Sequence, residues 1–416
     1  MSTPTPGATP GPIPGPLAGI RVFDLTRILA GPSAMQLLGD LGADIIKIER
    51  PGQGDDTRKW GPPYIKDAEG NDTTESAYYL CANRNKRSVT LDISKPEGQA
   101  LAKKLIAQCD VLVENYKTGG LAKYGLDYAS LKKEFPRLVY CSVTGFGQTG
   151  PYAERAGYDF VAQGLGGIMS ITGEVEGEPV KVGVGIADLM CGMHSAVAIL
   201  AALRHRDATG EGQHIDACLL DTQVSWLVNE ATNYLVSGQV PVRRGNAHPN
   251  IVPYQVFKAS DGYIILACGN DGQYQRFCDF AQVNHLASDP RFLTNPDRIR
   301  NREELIPLIQ AVTATQPVSY WVDGLERCNV PCSPVNRIDQ VFEDPQVKAR
   351  DLTVQMDHPL SPDPVTMLAY PLKLSGTPAT YRLPPPLLGQ HTDDILSDML
   401  NMKAEDIAAL REKGGV

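Results

Sequence analysis

The chain has 416 residues, 42% of them hydrophobic, and a formal net charge of −9. At roughly 100–200 residues per domain, that length suits two or three domains with a sizeable core. The net negative charge argues against nucleic acid as the main partner, because neutralising phosphates takes clustered Lys and Arg. No apolar run is read as long enough to span a bilayer, so no membrane partner is expected. The nine cysteines are scattered, odd in number and form no CxxC pair. Neither a disulfide framework nor a zinc site is expected, and a reducing, cytoplasmic setting fits best.

Residues 1–16 are rich in proline and lack both basic residues and an apolar stretch. They read as a disordered tail and not as a targeting peptide, with folded chain beginning near Leu17. Residues 20–25 read as a strand. Pro32 is placed for the first turn of a helix, and Ala34, Leu37, Leu38 and Leu41 keep helical spacing up to Gly42. A second strand at 44–49 completes a βαβ unit with parallel strands. Further strands are expected at 88–92, 111–113 and 138–143. Ser94-x-x-Glu97 has the form of a capping box opening a helix to about 108, and a helical stretch is expected at 128–134. This alternation predicts an α/β fold with a doubly wound parallel sheet. Ligands bind beyond the carboxyl ends of such strands, which singles out loops 26–32, 49–56, 114–120 and 144–152. A glycine-rich region from 164 to 192 leads into a helical pattern at 189–206. Beyond residue 225 the texture changes to a hairpin at 253–268 and helices at 273–282, 302–314 and 318–327. The expected domains are a large N-terminal part at 17–224, a small α+β domain at 225–327, and a linker with returning segment at 328–416.

Asp188 sits just before the apolar helix, where the helix N-terminus favours an anion by about 0.3–1 kcal/mol. It reads either as a plain N-cap or as a chemically active carboxylate. His194 reads as a packed helix residue, without metal-ligand spacing to another histidine. Glu49 ends the second strand, where an acidic residue can bind a ribose, but the first turn is Ala-Gly-Pro-Ser-Ala and lacks G-x-G-x-x-G. A nicotinamide dehydrogenase is therefore disfavoured. Arg50 could meet an adenine or a phosphate. The basic stretch 83–87 and the pair Arg243-Arg244 near His248 could meet phosphate or carboxylate, or be solvated turns.

Taken in order, LAGIRVFDLTRILAGP, LGADIIKIERPGQGDDTR, NRNKRSVTLD, DVLVENY, GYDFVAQGLGG, ADLMCGMHSA and LLGQHTDDIL closely resemble the class III CoA-transferase family. That group contains formyl-CoA transferase and the carnitine CoA-transferases, and the match spans about Leu17 to Leu400. The resemblance implies a Rossmann-like large domain built from both chain ends, a small domain between linkers, and a homodimer of interlocked rings. It implies Asp188 as nucleophile, no permanently bound cofactor and no metal, with a CoA thioester as substrate. The CoA contacts it implies are Ile28, Leu29, Arg50, Leu91, Asp92, Ile93, Ser94, Asn115, Tyr116 and Lys123. Leu29 stands where formyl-CoA transferases carry glutamine and Lys123 where they carry arginine, which turns the expectation away from oxalate.

The stretches YYLCANRNKRS, SVTGFGQTGPYAERAGYDFVAQ and AHPNIVPYQVFKASDGYI resemble the dicarboxylate subgroup that includes succinyl-CoA:glutarate CoA-transferase. A dicarboxylate keeps one free carboxylate after thioester formation and needs a cation for it. Arg27, Arg84, Arg243, Arg244 and His248 are the candidates, Arg84 foremost. The resemblance implies acyl-aspartyl anhydride and aspartyl-CoA thioester intermediates. Two rivals remain. An α-methylacyl-CoA racemase would need a second acid–base partner where Tyr158 stands, and a non-catalytic CoA-binding protein would have no use for Asp188.

Overall fold

The computed structural model describes residues 15–416; most of the expected proline-rich tail, residues 1–14, lies outside the described residues. The chain divides into two compact units. One gathers the chain up to Gly167, Val182–Asn229 and Asp351–Val416; the other comprises Ile168–Lys181 and Glu230–Arg350.

The first unit is organised by six parallel strands: β1 (Arg21–Leu25), β2 (Asp44–Glu49), β5 (Lys86–Thr90), β6 (Val111–Glu114), β7 (Val139–Thr144) and β8 (His214–Cys218). Between β2 and β5 a small antiparallel pair, β3 (Tyr64–Lys66) and β4 (Asp72–Ser76), interrupts the alternation. The order across the large sheet is β5-β2-β1-β6-β7-β8, with every pairing parallel. The chain direction of travel across the sheet reverses between β1 and β6, which opens a crevice at their carboxyl ends. Burial on both faces accounts for strands that read as nearly continuous apolar runs. Phe23, Ile46, Val89 and Leu112 face one side with helices Pro96–Ile106 and Thr392–Leu400. Val22, Ile45, Val111 and Val139 face the other with helices Ala30–Asp40 and Ile186–Thr209.

Several local expectations need correction. Strand β5 starts at Lys86, earlier than 88. Ser94 caps no helix: its hydroxyl and amide both bond Asp92 Oδ1, and the helix N-cap is Lys95. Pro32 is the third residue of its helix, not the first; the position is still tolerated because the first-turn amides have no intrahelical acceptor. Strand β8 was not anticipated, since His214 and Asp216 break its apolar pattern. Helix Ile186–Thr209 is longer than the 189–206 expected. By length and composition alone it could cross a membrane, with a window of mean hydropathy 1.8. Half of that window is buried, through Met190, Cys191, Ile199 and Leu203, while Met193 and Val197 are exposed. Gly192 lets this helix approach helix Ala30–Asp40: a Cβ there would lie 2.6 Å from Ala30 O.

The second unit contains an antiparallel sheet of β9 (Tyr254–Lys258), β10 (Tyr263–Ala267) and β11 (Cys332–Pro334). Phe257, Phe277, Trp321 and Leu325 fill its core. Its span differs from the 225–327 expected. Residues 225–229 belong to the first unit, Ile168–Lys181 joins the second, and the short helices Ile338–Glu343 and Pro345–Ala349 extend the second to Arg350.

The C-terminal segment of the first unit holds one more pair, β12 (Thr353–Met356) and β13 (Val365–Leu368), and binds back onto the N-terminal part. Asn85 N–H donates to Leu383 O, Arg382 Nη2 donates to Gly39 O, and His391 N–H donates to Ser88 O. Arg84 is central to this seam. It is buried, meets both oxygens of buried Asp40 at 2.9 and 2.5 Å, and donates to Leu368 O at 2.6 Å. The foremost candidate for a substrate cation is therefore spent on the fold. Removing one partner of a buried pair strands the other charge and typically costs about 3–5 kcal/mol. Arg84→Ala is expected to lower stability by that amount in chemical denaturation; a loss under about 1 kcal/mol would show the pair to be dispensable.

Candidate active site

The carboxyl-end loops of the large sheet enclose a cavity of 660 Å³ within the first unit. Its wall includes Ile28 and Leu29 after β1, Asn115, Tyr116 and Lys117 after β6, Thr144 and Gly145 after β7, Leu219 after β8, and Asp188. A second cavity of 390 Å³ shares Arg27, Asp56, Tyr116 and Tyr124 with the first and adds Arg50, Leu91, Asp92, Ile93 and Ser94. Such volumes are those of small-molecule sites. The structure thus brings Asp188, Ile28, Leu29, Asn115, Tyr116 and Lys123 to one cavity, and Arg50 with Leu91–Ser94 to its neighbour.

Asp188 is not an N-cap. The cap is Gly185, so Asp188 lies in the first helical turn, and the cap has no side-chain bond of its own. The side chain of Asp159 does that work from another helix: its Oδ1 accepts the N–H of Ala187 at 2.8 Å and of Asp188 at 3.3 Å. Gln163 Nε2 bonds the other Asp159 oxygen at 2.7 Å and fixes it. The Asp188 carboxyl meets no donor among the described residues. Burial, reinforced by the negative charge of Asp159, pushes it up to about 7. Desolvation therefore outweighs the favourable helix terminus, which is worth only about 0.3–1 kcal/mol.

The loop bearing Ile28 is strained and deliberately held. Ile28 has φ 75°, a left-handed conformation costly for a β-branched residue. Its N–H donates to Asp55 Oδ1 at 3.2 Å. Asn115 clamps the preceding residue with both ends of its carboxamide, accepting from Arg27 N–H at 3.0 Å and donating to Arg27 O at 2.7 Å. Beneath the loop, fully buried Lys47 donates to Asp55 Oδ2 and to Thr26 O, each at 2.9 Å. Burial alone would raise the Asp55 carboxyl, but Lys47 overrides it and holds the group down at about 2. The sequence carried a signal for this pair, a lysine inside the buried run Asp-Ile-Ile-Lys-Ile-Glu, but none for its partner.

Glu49 is not available to a ribose. It is buried, binds Arg58 at 2.9 and 2.7 Å, and accepts from Ser88 and from Asp55 N–H, which removes the remaining support for a dehydrogenase. His194 Nδ1 lies 2.8 Å from Met190 O inside its own helix.

Of the candidate cations, Arg27 lines the first cavity but pairs with Asp56 at 2.9 Å. Arg243, Arg244 and His248 belong to the second unit. Arg243 donates to the carbonyls of Glu174 and Gly177, Arg244 faces Glu230 at 3.7 Å, and His248 Nδ1 accepts from Asn250 N–H. Two wall residues and one that supports the wall lay outside the expectations. Trp60 meets Tyr78 edge-on at 5.1 Å, Arg155 lies on the loop after β7, and Asp159 supports Asp188. Asp159 falls within a family motif, but no spacing rule links it to amides 28 residues further along the chain.

The Lys47–Asp55 pair makes the loop geometry pH-sensitive in acid. A carboxyl held below its unfolded value stabilises the fold above about pH 4, and that stability is lost as pH falls toward 2. Asp55→Asn is expected to destabilise the protein at neutral pH and to flatten the loss of stability between pH 4 and 2. An unchanged acid-unfolding profile would remove the pair from this role.

CoA-transferase family III matches residues 17–392 of the chain. The chain is 49% identical to the succinate–glutarate CoA-transferase of Agrobacterium fabrum, over 92% of this chain and 95% of that one. It is 43% identical to the succinyl-CoA:glutarate CoA-transferase of Homo sapiens, over 96% of this chain and 89% of that one. Among solved structures, the crystal structure of a CAIB/BAIF family protein from Brucella suis superimposes with a TM-score of 0.83 at 48% identity, covering 93% of this chain and all of that one. The chain belongs to CoA-transferase family III, a family of enzymes that transfer coenzyme A.

Proposed function

We propose that the protein transfers coenzyme A from succinyl-CoA to a dicarboxylic acid such as glutarate, with Asp188 as covalent nucleophile. The observation that carries this reading is a half-buried carboxyl on the cavity wall, relieved of capping by Asp159 and bonded to no donor among the described residues. The names of the relatives support the substrate class.

A poorly solvated carboxylate is a better nucleophile than a hydrated one. Ionised Asp188 attacks the donor thioester carbonyl and expels the CoA thiolate, leaving an acyl-aspartyl anhydride. The thiolate attacks the aspartyl carbonyl, releasing the donor acid and forming an aspartyl-CoA thioester. The acceptor carboxylate attacks that carbonyl and again expels the thiolate, which then attacks the new acyl carbonyl and frees Asp188. One thioester is exchanged for another, so no external energy source enters.

The adjoining cavity suits the nucleotide end of coenzyme A, with Arg50 at its rim and the backbone of 91–94 along its side. In this reading the first unit is the Rossmann-like large domain. Exposed Met193 and Val197 on helix Ile186–Thr209 support burial against a second chain, here proposed as the interlocked homodimer. The setting is cytoplasmic in this proposal. Against the racemase reading, Tyr158 lines the cavity and no histidine does among the described residues.

Asp188→Ala is expected to abolish transfer from succinyl-CoA, followed by mass spectrometry of new thioesters, while the fold is retained; substantial residual transfer would exclude it as nucleophile. In the free enzyme kcat/KM should rise with pH up to about 7 and then level, because the ionised form attacks. The linkage runs against stability. A carboxyl raised above its unfolded value of 3.8 destabilises the fold as pH climbs toward 7. Asp188→Asn should therefore raise Tm at pH 8 by about 2 °C or more and leave it unchanged at pH 4. An equal shift at both pH values would point to packing instead of charge.

A further inference from the structure

We propose that Arg155 receives the free carboxylate of the dicarboxylic acyl group and thereby sets the preference for dicarboxylates over monocarboxylates. This rests on the CoA-transfer reading above. Once one carboxyl of the acid has become a thioester, the other remains ionised. It must enter a cavity whose floor already holds Asp188, with Asp159 behind it. A third negative charge close to two others is tolerated only beside a fixed cation.

Four cations line the cavity: Arg27, Lys117, Lys123 and Arg155. Arg27 is neutralised by Asp56. Lys123 lies over the ring of Tyr124 at 4.7 Å, and Tyr124 also borders the second cavity, where phosphate groups would lie in the reading above. Lys117 also borders a separate 230 Å³ recess containing Glu114 and Asp127. Arg155 alone of the two arginines has no carboxylate within ion-pair distance among the described residues.

Its side chain is nevertheless held. The guanidinium lies over the ring of Tyr152 at 3.8 Å, and Tyr152 meets Phe146 edge-on at 5.9 Å. A guanidinium stacks by its face and donates from its edge, so the stack restrains the group while leaving its N–H fork free for a carboxylate. The backbone is fixed as well. A Cβ on Gly157 would lie 2.3 Å from the Cα of Gly145, so these two glycines lock residues 153–158 against the end of β7. Asp159, next along this segment after Tyr158, holds the amide of Asp188. The segment that seats the nucleophile therefore also carries an arginine with no ion pair among the described residues. In the sequence Arg155 was an unremarked arginine between Glu154 and Ala156, because the aromatic stack that orders it was not visible there.

The test compares the full-length enzyme with Arg155→Gln, which keeps the stem and a donor but loses the charge, and Arg155→Lys, which keeps the charge but loses the fork. Rates from succinyl-CoA to glutarate and to butyrate are measured for each. The donor is common to both assays, so its own contact with Arg155 cancels in the ratio. The ratio of kcat/KM for glutarate to that for butyrate is expected to fall about 10–100-fold in Arg155→Gln and to recover partly in Arg155→Lys. Exchange between butyryl-CoA and labelled butyrate should stay within about twofold of the parent, which a merely structural role would not permit. An unchanged ratio, or an equal loss in the butyryl exchange, overturns the assignment. If the parent enzyme itself transfers CoA to monocarboxylates but to no dicarboxylate, the substrate reading fails, and this assignment with it; that result is read before any variant is made.

Discussion

A helix begins with amides that have no acceptor of their own, and in helix Ile186–Thr209 those amides are satisfied by Asp159. This contact decides what Asp188 can be. An aspartate in a first turn ordinarily turns back on the helix and is stabilised as an anion by its amides. Here the position is filled from outside, by a second carboxylate whose other oxygen is tied to Gln163. Asp188 is left without donors among the described residues, on a cavity wall, near a like charge. Burial, reinforced by that like charge, makes this carboxyl reluctant to ionise.

The loop after β1 shows a related division of labour. Ile28 could not hold φ 75° in a free loop. It is held because Asp55 takes its amide and Asn115 takes both backbone groups of Arg27. Asp55 can be buried there because Lys47 is buried beneath it. A buried pair is weak evidence for net stability, but it fixes geometry well, since neither member can leave without exposing the other. Glu49, Arg58 and Ser88 extend the arrangement under the 50–60 loop. The loop that bears Ile28 thus rests on charges matched within the protein.

This division explains what could be read from the sequence. The βαβ order, the parallel sheet and the loops to inspect follow from apolar periodicity, a local property of consecutive residues. Asp188 and the walls of both cavities came from ordered motifs. The misplacements share a cause. Asp188 reads as a residue just outside its helix because the carboxylate that caps that helix lies 29 positions away. Arg84 reads as a substrate cation because Asp40 lies 44 positions away. Strand β8 was missed because its half-buried polar residues have partners on other elements, such as Ser142 for His214 at 3.0 Å. A charged residue announces that it needs a partner, but the partner is supplied by the fold, and local pattern cannot name it.

The same reasoning sorts the charges of the cavity by function. Any ionic group already matched within the protein has settled its electrostatics before a ligand arrives, and a ligand must break that match to use it. Arg84 with Asp40 and Arg58 with Glu49 and Glu75 are of this kind, and both are buried as well. Arg27 with Asp56 is matched at the surface, where such a pair is worth only about 0–1 kcal/mol and can open. Asp188 and Arg155 are unmatched in the same cavity, one an acid and one a cation, and neither is spent on the other among the described contacts. A substrate carrying an electrophilic carbonyl at one end and a carboxylate at the other complements that pair of unmatched groups, whereas a monocarboxylic acyl group would leave the guanidinium facing water.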